Sequence, residues 1–383
     1  MTALLIYGDT ERSAALRHEV PVVIGDPFLW LQADGAVPLI MTNVLERDRI
    51  ARAVPPAQLV LMNELGFLDL VRGGMPRSEA ELEVVSRAVA RTGASTFAVP
   101  PELPVAVADR LRADGVELTV AGGLYEDRRR VKNESELAGI RRAQAAAEAG
   151  MAAAAAMLRD ASPEDGRLVA AGGEPLTAED VRAAIRDACA AAGAPAPPDI
   201  MVTSALSGGG HDPGSGPLPA DLPVVVDLWP RDEDTGCWAD MTRTFVRGVV
   251  TDEVAALRDV VREAIEDVRA AARPGITGQE LYAVAADVVE RAGHPTQRTA
   301  APGETLTHGF YFSLGHGVGL ELHEEPSLGL SGRSPLVPGD VIAVEPGIEG
   351  LPGIGGVRYE DLLLITDSGC ETLTDFPYEI ELD

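Results

Sequence analysis

Residues 313–361 read SLGHGVGLELHEEPSLGLSGRSPLVPGDVIAVEPGIEGLPGIGGVRYED. This stretch holds His316 and His323, places Glu345 directly after the apolar run VIAV, and sets Arg358, Glu360 and Asp361 before a second apolar run, LLLI. A charge set against a buried strand needs a partner, and a metal ion is the commonest partner for histidine combined with carboxylates. The remainder of the chain reads as a frame for this stretch.

A second stretch completes it. Residues 224–248 read VVVDLWPRDEDTGCWADMTRTFVRG. The run before Asp227 predicts a buried strand, and residues 239–246 predict the returning arm of a hairpin, with Asp227 on one arm and Asp240 on the other. Asp232, Glu233 and Asp234 fit a solvated turn between the arms. Asp227 does not, because three valines precede it, and a buried carboxylate must be paired, protonated or bound to a cation.

Five residues therefore stand out as ligand types: Asp227, Asp240, His316, Glu345 and Glu360. Four carboxylates and one imidazole form a hard, mixed N/O set that suits Mn²⁺, Co²⁺, Fe²⁺ or Zn²⁺. Their four negative charges exceed what one divalent ion neutralises. Two ions about 3.5–4 Å apart, sharing bridging carboxylates, would balance them.

Other chemistries are excluded by their absent motifs. Of 32 basic residues only Lys132 is a lysine, and it lies in no glycine loop, so a GxxxxGK phosphate loop is missing. Schiff-base chemistry would have only Lys132 to use. The segment His323 to Ser327 is not HExxH, Gly315, Gly317 and Gly319 are not spaced as GxGxxG, and no GxSxG elbow exists for a serine nucleophile. A net charge of −28 argues against nucleic acid and anionic membranes as partners. Three scattered cysteines fit a reducing compartment, and no apolar run reaches membrane-spanning length, so a cytoplasmic protein is expected.

The chain length predicts two domains, with a change of character near residue 130. Before it, strands at 3–7, 20–24, 37–41, 58–62, 96–99 and 116–120 alternate with helices at 79–91 and 104–113, as in an α/β layer domain. Its expected roles are to shape the pocket mouth and to contact a second subunit. After it comes a long helical run, 124–159, with Ser135 as its expected N-cap. Then follow a helix over 177–191, a strand over 200–204, the glycine-rich loop Ser207–Leu222 carrying His211, and helices over 252–272 and 278–292.

Together, VVVDLWP, ADMTRTF, GHGVGLELHEEP, VIAVEPGI and GVRYEDLLLIT resemble the creatinase/prolidase/aminopeptidase P group of metallopeptidases, family M24. RRVKNESELAGIRRA resembles the start of that group's catalytic domain. The resemblance implies an α/β (α+β) chain, with a creatinase-like N-terminal domain at 1–130 and a pita-bread catalytic domain at 131–383. It implies that Asp227 serves one ion, that Asp240 and Glu360 bridge, and that His316 and Glu345 serve the other ion, with Glu345 also the general base. By the same resemblance His211 and His323 line the substrate pocket, and Arg358 supports the site through Asp227. The implied reaction is hydrolysis of Xaa-Pro bonds in short proline-containing peptides by a metal-bridged hydroxide. The ions would be Mn²⁺ first, with Co²⁺, Zn²⁺ or Fe²⁺ as alternatives, and the protein a homodimer.

The chain departs from the family pattern at three pocket positions. Phe312 stands where a histidine is usual, Glu349 where a tyrosine is usual, and Trp229 in place of a glycine. Phe312 would give the substrate an apolar contact instead of a hydrogen bond. Two rival readings stand beside the peptidase reading: a metal-dependent lyase or other hydrolase of a small organic substrate on the same fold, which Phe312 and Glu349 would favour, and a non-catalytic binding module, against which the five intact ligand residues argue.

Overall fold

The computed structural model describes residues 3–33, 35–207 and 211–382. Residues 208–210, in the expected glycine-rich loop, lie outside the described residues. The chain divides into two compact units, Met1–Arg129 and Arg130–Asp383.

The first unit is built on six strands: β1 (Ala3–Gly8), β2 (Phe28–Gln32), β3 (Leu39–Thr42), β4 (Gln58–Leu61), β5 (Thr96–Val99) and β6 (Glu117–Val120). They form one mixed sheet in the order β4-β3-β2-β1-β5-β6. Its helices include α1 (Ala14–Glu19), α2 (Arg47–Ala53), α3 (Phe67–Arg72), α4 (Arg77–Arg91) and α5 (Val105–Ala113). Successive strand residues serve opposite faces. Leu5 and Leu29 join a core with Val84, Val85 and Leu111, whereas Ile6 and Trp30 join another with Leu16 and Ile50. Both faces are thus buried, which is why these strands read as continuous apolar runs.

Two differences from the sequence reading have clear causes. The run Val20–Ile24 is not a strand. Pro21 lacks a ladder donor, and Thr10 holds the segment instead: its hydroxyl donates to Val22 O at 2.7 Å and accepts from Ile24 N at 2.7 Å. The expected helix over 124–159 is two helices, α6 (Gly122–Arg130) and α7 (Glu134–Asp160). Asn133, not Ser135, caps α7. Its side chain accepts from Glu136 N while Glu136 accepts from Asn133 N, a reciprocal capping box.

The second unit continues with β7 (Ser162–Glu164), β8 (Arg167–Val169), α8 (Ala178–Ala191), β9 (Met201–Ser204), β10 (Val224–Leu228), β11 (Met241–Phe245), α9 (Asp252–Ala271) and α10 (Gly278–Arg291). It closes with β12 (Gly315–Gly317), β13 (Glu324–Leu328), β14 (Val341–Val344), β15 (Gly347–Leu351), β16 (Gly355–Arg358), β17 (Asp361–Ile365) and β18 (Cys370–Thr372). An antiparallel sheet β11-β10-β9 shares a core with α7 and α8, and an antiparallel sheet β13-β12-β14-β17-β18 shares a core with α9 and α10. Close approach of α7 and α8 depends on Gly150, where a Cβ would lie 2.6 Å from Cys189 Sγ. Asp232 is not a solvated turn residue. It is buried and takes a two-pronged hydrogen bond from Arg142 on α7, 2.8 Å on each arm.

All three cysteines are free, and burial pushes the Cys189 and Cys237 thiols up to about 12. Among the described residues no helix is long and apolar enough to cross a membrane.

The α7 cap supplies a direct test. Asn133→Ala should lower the stability of the second unit by about 1 kcal/mol, read as a lower urea midpoint. Ser135→Ala, at an exposed position, should stay within about 0.5 kcal/mol.

Candidate metal centre and pocket

Strand register brings the five ligand-type residues together. On β12 His316 lies opposite Ala343 of β14, and the last residue of β14, Val344, lies opposite Asp361 of β17. Glu345 and Glu360 are therefore the next pair along, just beyond the ends of those strands. On the other sheet Asp227 of β10 lies opposite Thr242 of β11, and Asp240 immediately precedes β11. The two sheets are latched through β11. Thr242 Oγ1 donates to Glu360 Oε2 at 2.8 Å, Glu360 N donates to Thr242 O at 3.1 Å, and Thr244 Oγ1 donates to Arg358 O at 2.9 Å.

The second arginine of this latch, Arg243, is almost completely buried. It donates to Asp361, to the carbonyls of Thr242 and Glu360, and to those of Phe376 and Pro377, all at 2.8–2.9 Å. Its charge is spent on structure, directly behind the carboxylates.

The cluster is tight. His316 Nε2 lies 3.6 Å from Asp240 Oδ2 and 3.7 Å from Glu345 Oε1. Three overlapping groups have ligand atoms within 4.8 Å of one another: Asp240, His316 and His323; His316, Glu345 and Glu360; Asp227, Asp240 and Glu360. Asp240, His316 and Glu360 each belong to two groups. Arg358 is the cation in contact with the acids, its Nη2 donating to Asp227 Oδ2 at 2.6 Å and its Nη1 lying 3.8 Å from Glu345 Oε2.

Electrostatics follows from this crowding. Burial raises the Asp240 carboxyl well above its ordinary range, with Asp227 and Glu345 adding to the effect. Burial does the same to Glu360, reinforced by Asp240. Glu345 is pushed up to about 8, chiefly by burial, against the pull of Arg358. Burial also lowers His316 to about 4, so its imidazole is neutral near pH 7. Gly317 O lies 3.1 Å from His316 Nδ1. With the proton on Nδ1, Nε2 presents its lone pair to the carboxylates.

The donor set fits a divalent cation. Asp227 Oδ1 and Glu360 Oε1 are buried with no hydrogen-bond partner, and a neutral imidazole nitrogen stands beside them. Buried carboxylate oxygens without donors are the atoms that a hard cation satisfies.

A cavity of about 330 Å³ opens over the cluster. All five ligand-type residues line it, together with His211, His323 and Arg358. His323 sets its ring edge-on to that of His316, with centroids 4.2 Å apart. Its backbone is held through the next residue: Glu324 and Lys132 form an ion pair whose side chains are 2% and 3% exposed. Phe312 does not line this cavity. It packs edge-on against Phe310 and Tyr311, with the Arg358 guanidinium 5.8 Å from its ring centre. Asp199, Met201 and Leu322 also line the cavity. Nothing in the local pattern of those three marked them, whereas Thr242 and Arg243 carried a signal, polar side chains within a strand whose five residues are all buried.

A family model, Metallopeptidase family M24, matches residues 138–367. The chain is 37% identical over 157 residues to the Xaa-Pro dipeptidase of Pyrococcus furiosus, covering 41% of each chain. That match thus spans less than half of the relative's length. It is 30% identical over 319 residues to the probable dipeptidase PepE of Mycobacterium tuberculosis, covering 82% of this chain and 72% of the other. Among solved structures, the prolidase from Pyrococcus horikoshii superposes with a TM-score of 0.76 at 24% identity, covering 99% of this chain and 95% of that one. The X-Pro aminopeptidase from Thermotoga maritima gives 0.77 at 23%, covering 100% and 97%. The expected fold, an α/β first domain followed by a pita-bread domain, is the fold of this chain.

The latch predicts an effect on metal affinity. Thr242→Val removes the hydroxyl that orients Glu360 and should weaken Mn²⁺ binding by about 10–100-fold, measured by titration calorimetry on chelator-stripped protein. Unchanged affinity would mean that Glu360 needs no such support.

Proposed function

Because the chain belongs to metallopeptidase family M24, we propose that it hydrolyses Xaa-Pro bonds in short proline-containing peptides. Asp227, Asp240, His316, Glu345 and Glu360 would hold two divalent transition ions, Mn²⁺ first, with Co²⁺, Zn²⁺ or Fe²⁺ as alternatives. In this reading Asp240 and Glu360 are shared between the ions, residues 1–130 are a creatinase-like N-terminal domain, residues 131–383 are the catalytic domain, and the protein is a cytoplasmic homodimer. The observation that carries the proposal is the set of four carboxylates, three of them buried, and one neutral imidazole, with two buried carboxylate oxygens lacking any donor.

Ions bound there would lower the pKa of water and polarise the scissile carbonyl. The chain's own residues supply the rest. Glu345, in the cavity wall, accepts a proton as general base and returns it to the leaving nitrogen. That return matters for a proline substrate, because its imide nitrogen carries no hydrogen before cleavage. His323, exposed at the same wall, donates a hydrogen bond to the carbonyl oxygen as charge develops on it. Burial lowers the His323 pKa, with His211 adding to the effect, so its ring is a neutral donor. Arg358 fixes Asp227 and offsets part of the negative charge.

Incubating Mn²⁺-loaded protein with Xaa-Pro dipeptides, Xaa-Pro-Yaa tripeptides and Xaa-Ala controls tests the proposal. Cleavage of dipeptides alone assigns prolidase activity, and cleavage of tripeptides assigns aminopeptidase P activity. Turnover of neither would overturn the peptidase reading and leave a lyase or another hydrolase of a small organic substrate. Asp240→Asn should abolish turnover together with metal binding. His323→Ala should retain the metal and lose about 10²–10³-fold in kcat.

A further inference from the structure

A second cavity, of about 260 Å³, adjoins the first and shares Met201 with it. Pro223, Val225, Leu351 and Pro352 give it apolar walls, and Glu349 on β15 adds a carboxylate. Gly356, across the hairpin, makes room for that side chain. A Cβ at 356 would lie 2.6 Å from Glu349 Cα and 2.8 Å from its Cγ.

The Glu349 carboxylate is poorly served by the protein. Its side chain is 18% exposed, and its ion-pair partner is Arg358 Nε, 3.5 Å away. That nitrogen is buried and makes no hydrogen bond. The same guanidinium already donates to Asp227 at 2.6 Å and faces Glu345. Among the described residues nothing donates a hydrogen bond to the Glu349 carboxylate. A mostly buried anion short of donors, at the edge of an apolar hollow, complements a cation carried on a methylene stem. The net charge of −28 favours approach of the same kind of ligand.

We infer that the second cavity is a subsite for a basic side chain, arginine or lysine, on the Xaa residue of the peptide, with Glu349 as its counter-ion. The inference rests on the peptidase reading above and names the substrates that reading would favour. In an Xaa-Pro dipeptide Xaa is the only variable side chain, so it is the one the adjoining cavity can select.

The experiment compares kcat/KM of Mn²⁺-loaded protein for Arg-Pro, citrulline-Pro and Ala-Pro. Citrulline has the shape of arginine without its charge. Arg-Pro should exceed citrulline-Pro by about tenfold or more, and added salt should erode the difference. In Glu349→Gln the Arg-to-citrulline ratio should fall toward one, whereas general damage would lower both rates together. The wild-type ratio and its salt dependence decide the matter even if that variant does not fold. Cleavage of Ala-Pro with equal rates for the other two peptides overturns the subsite alone. If none is cleaved, the same comparison is made with Arg-Pro-Yaa, citrulline-Pro-Yaa and Ala-Pro-Yaa tripeptides, and cleavage of none of those either removes the peptidase reading and the subsite with it.

Discussion

Asp227, Asp240, Glu345 and Glu360 meet beside a neutral imidazole, and the Arg358 guanidinium touches Asp227 and Glu345. Desolvating one carboxylate without a partner is costly, and mutual repulsion adds to the cost for four. The second unit is arranged so that this cost is met. Two antiparallel sheets, each sharing a core with a helix pair, carry these carboxylates. Thr242, Arg243 and Thr244, in the middle of β11, are tied to Glu360, Asp361 and Arg358 through hydrogen bonds of 2.8–2.9 Å. What the side chains leave unmet, above all Asp227 Oδ1 and Glu360 Oε1, is chemistry that divalent cations supply.

The surroundings of the cluster divide their labour. Arg243 is buried with all its donors engaged, so its charge serves the frame. Arg358 faces the cavity, and its charge is shared among Asp227, Glu345 and Glu349. Lys132, the chain's single lysine, is buried against Glu324, one residue after His323. Arg243 and Lys132 thus each hold an acid, Asp361 or Glu324, that is the chain neighbour of a pocket residue, Glu360 or His323.

Much of the site was legible because charge beside apolar runs is a strong signal. Asp227 after three valines, and Glu345 after VIAV, had to be partnered, and the register of β10–β11 and β14–β17 makes the partners neighbours. Other parts were not legible for identifiable reasons. Val20–Ile24 has strand composition, yet Pro21 and the Thr10 hydroxyl decide its conformation. The strand Phe28–Gln32 drew no prediction, although its alternate residues feed two cores. The cap of α7 is Asn133 because Glu136 completes its reciprocal bonds, a choice that Ser135 obscures in a purely local reading. Asp232 sits in a sequence that looks like a solvated turn, and only the distant Arg142 shows that it is buried. Phe312 was expected at the substrate, but it does not line the cavity over the cluster; its ring packs edge-on against Phe310 and Tyr311, contacts that a local reading of the sequence does not show.

The account stands or falls on whether this buried charge is built for cations. The most direct measurement is to strip the protein with a chelator, reload it with Mn²⁺, count the bound ions by mass spectrometry and follow the unfolding midpoint. Two ions per chain and a raised midpoint are predicted, about 2.7 kcal/mol for each site at a free concentration one hundred times its Kd. A reloaded protein that holds no transition ion and unfolds at the same midpoint would contradict it.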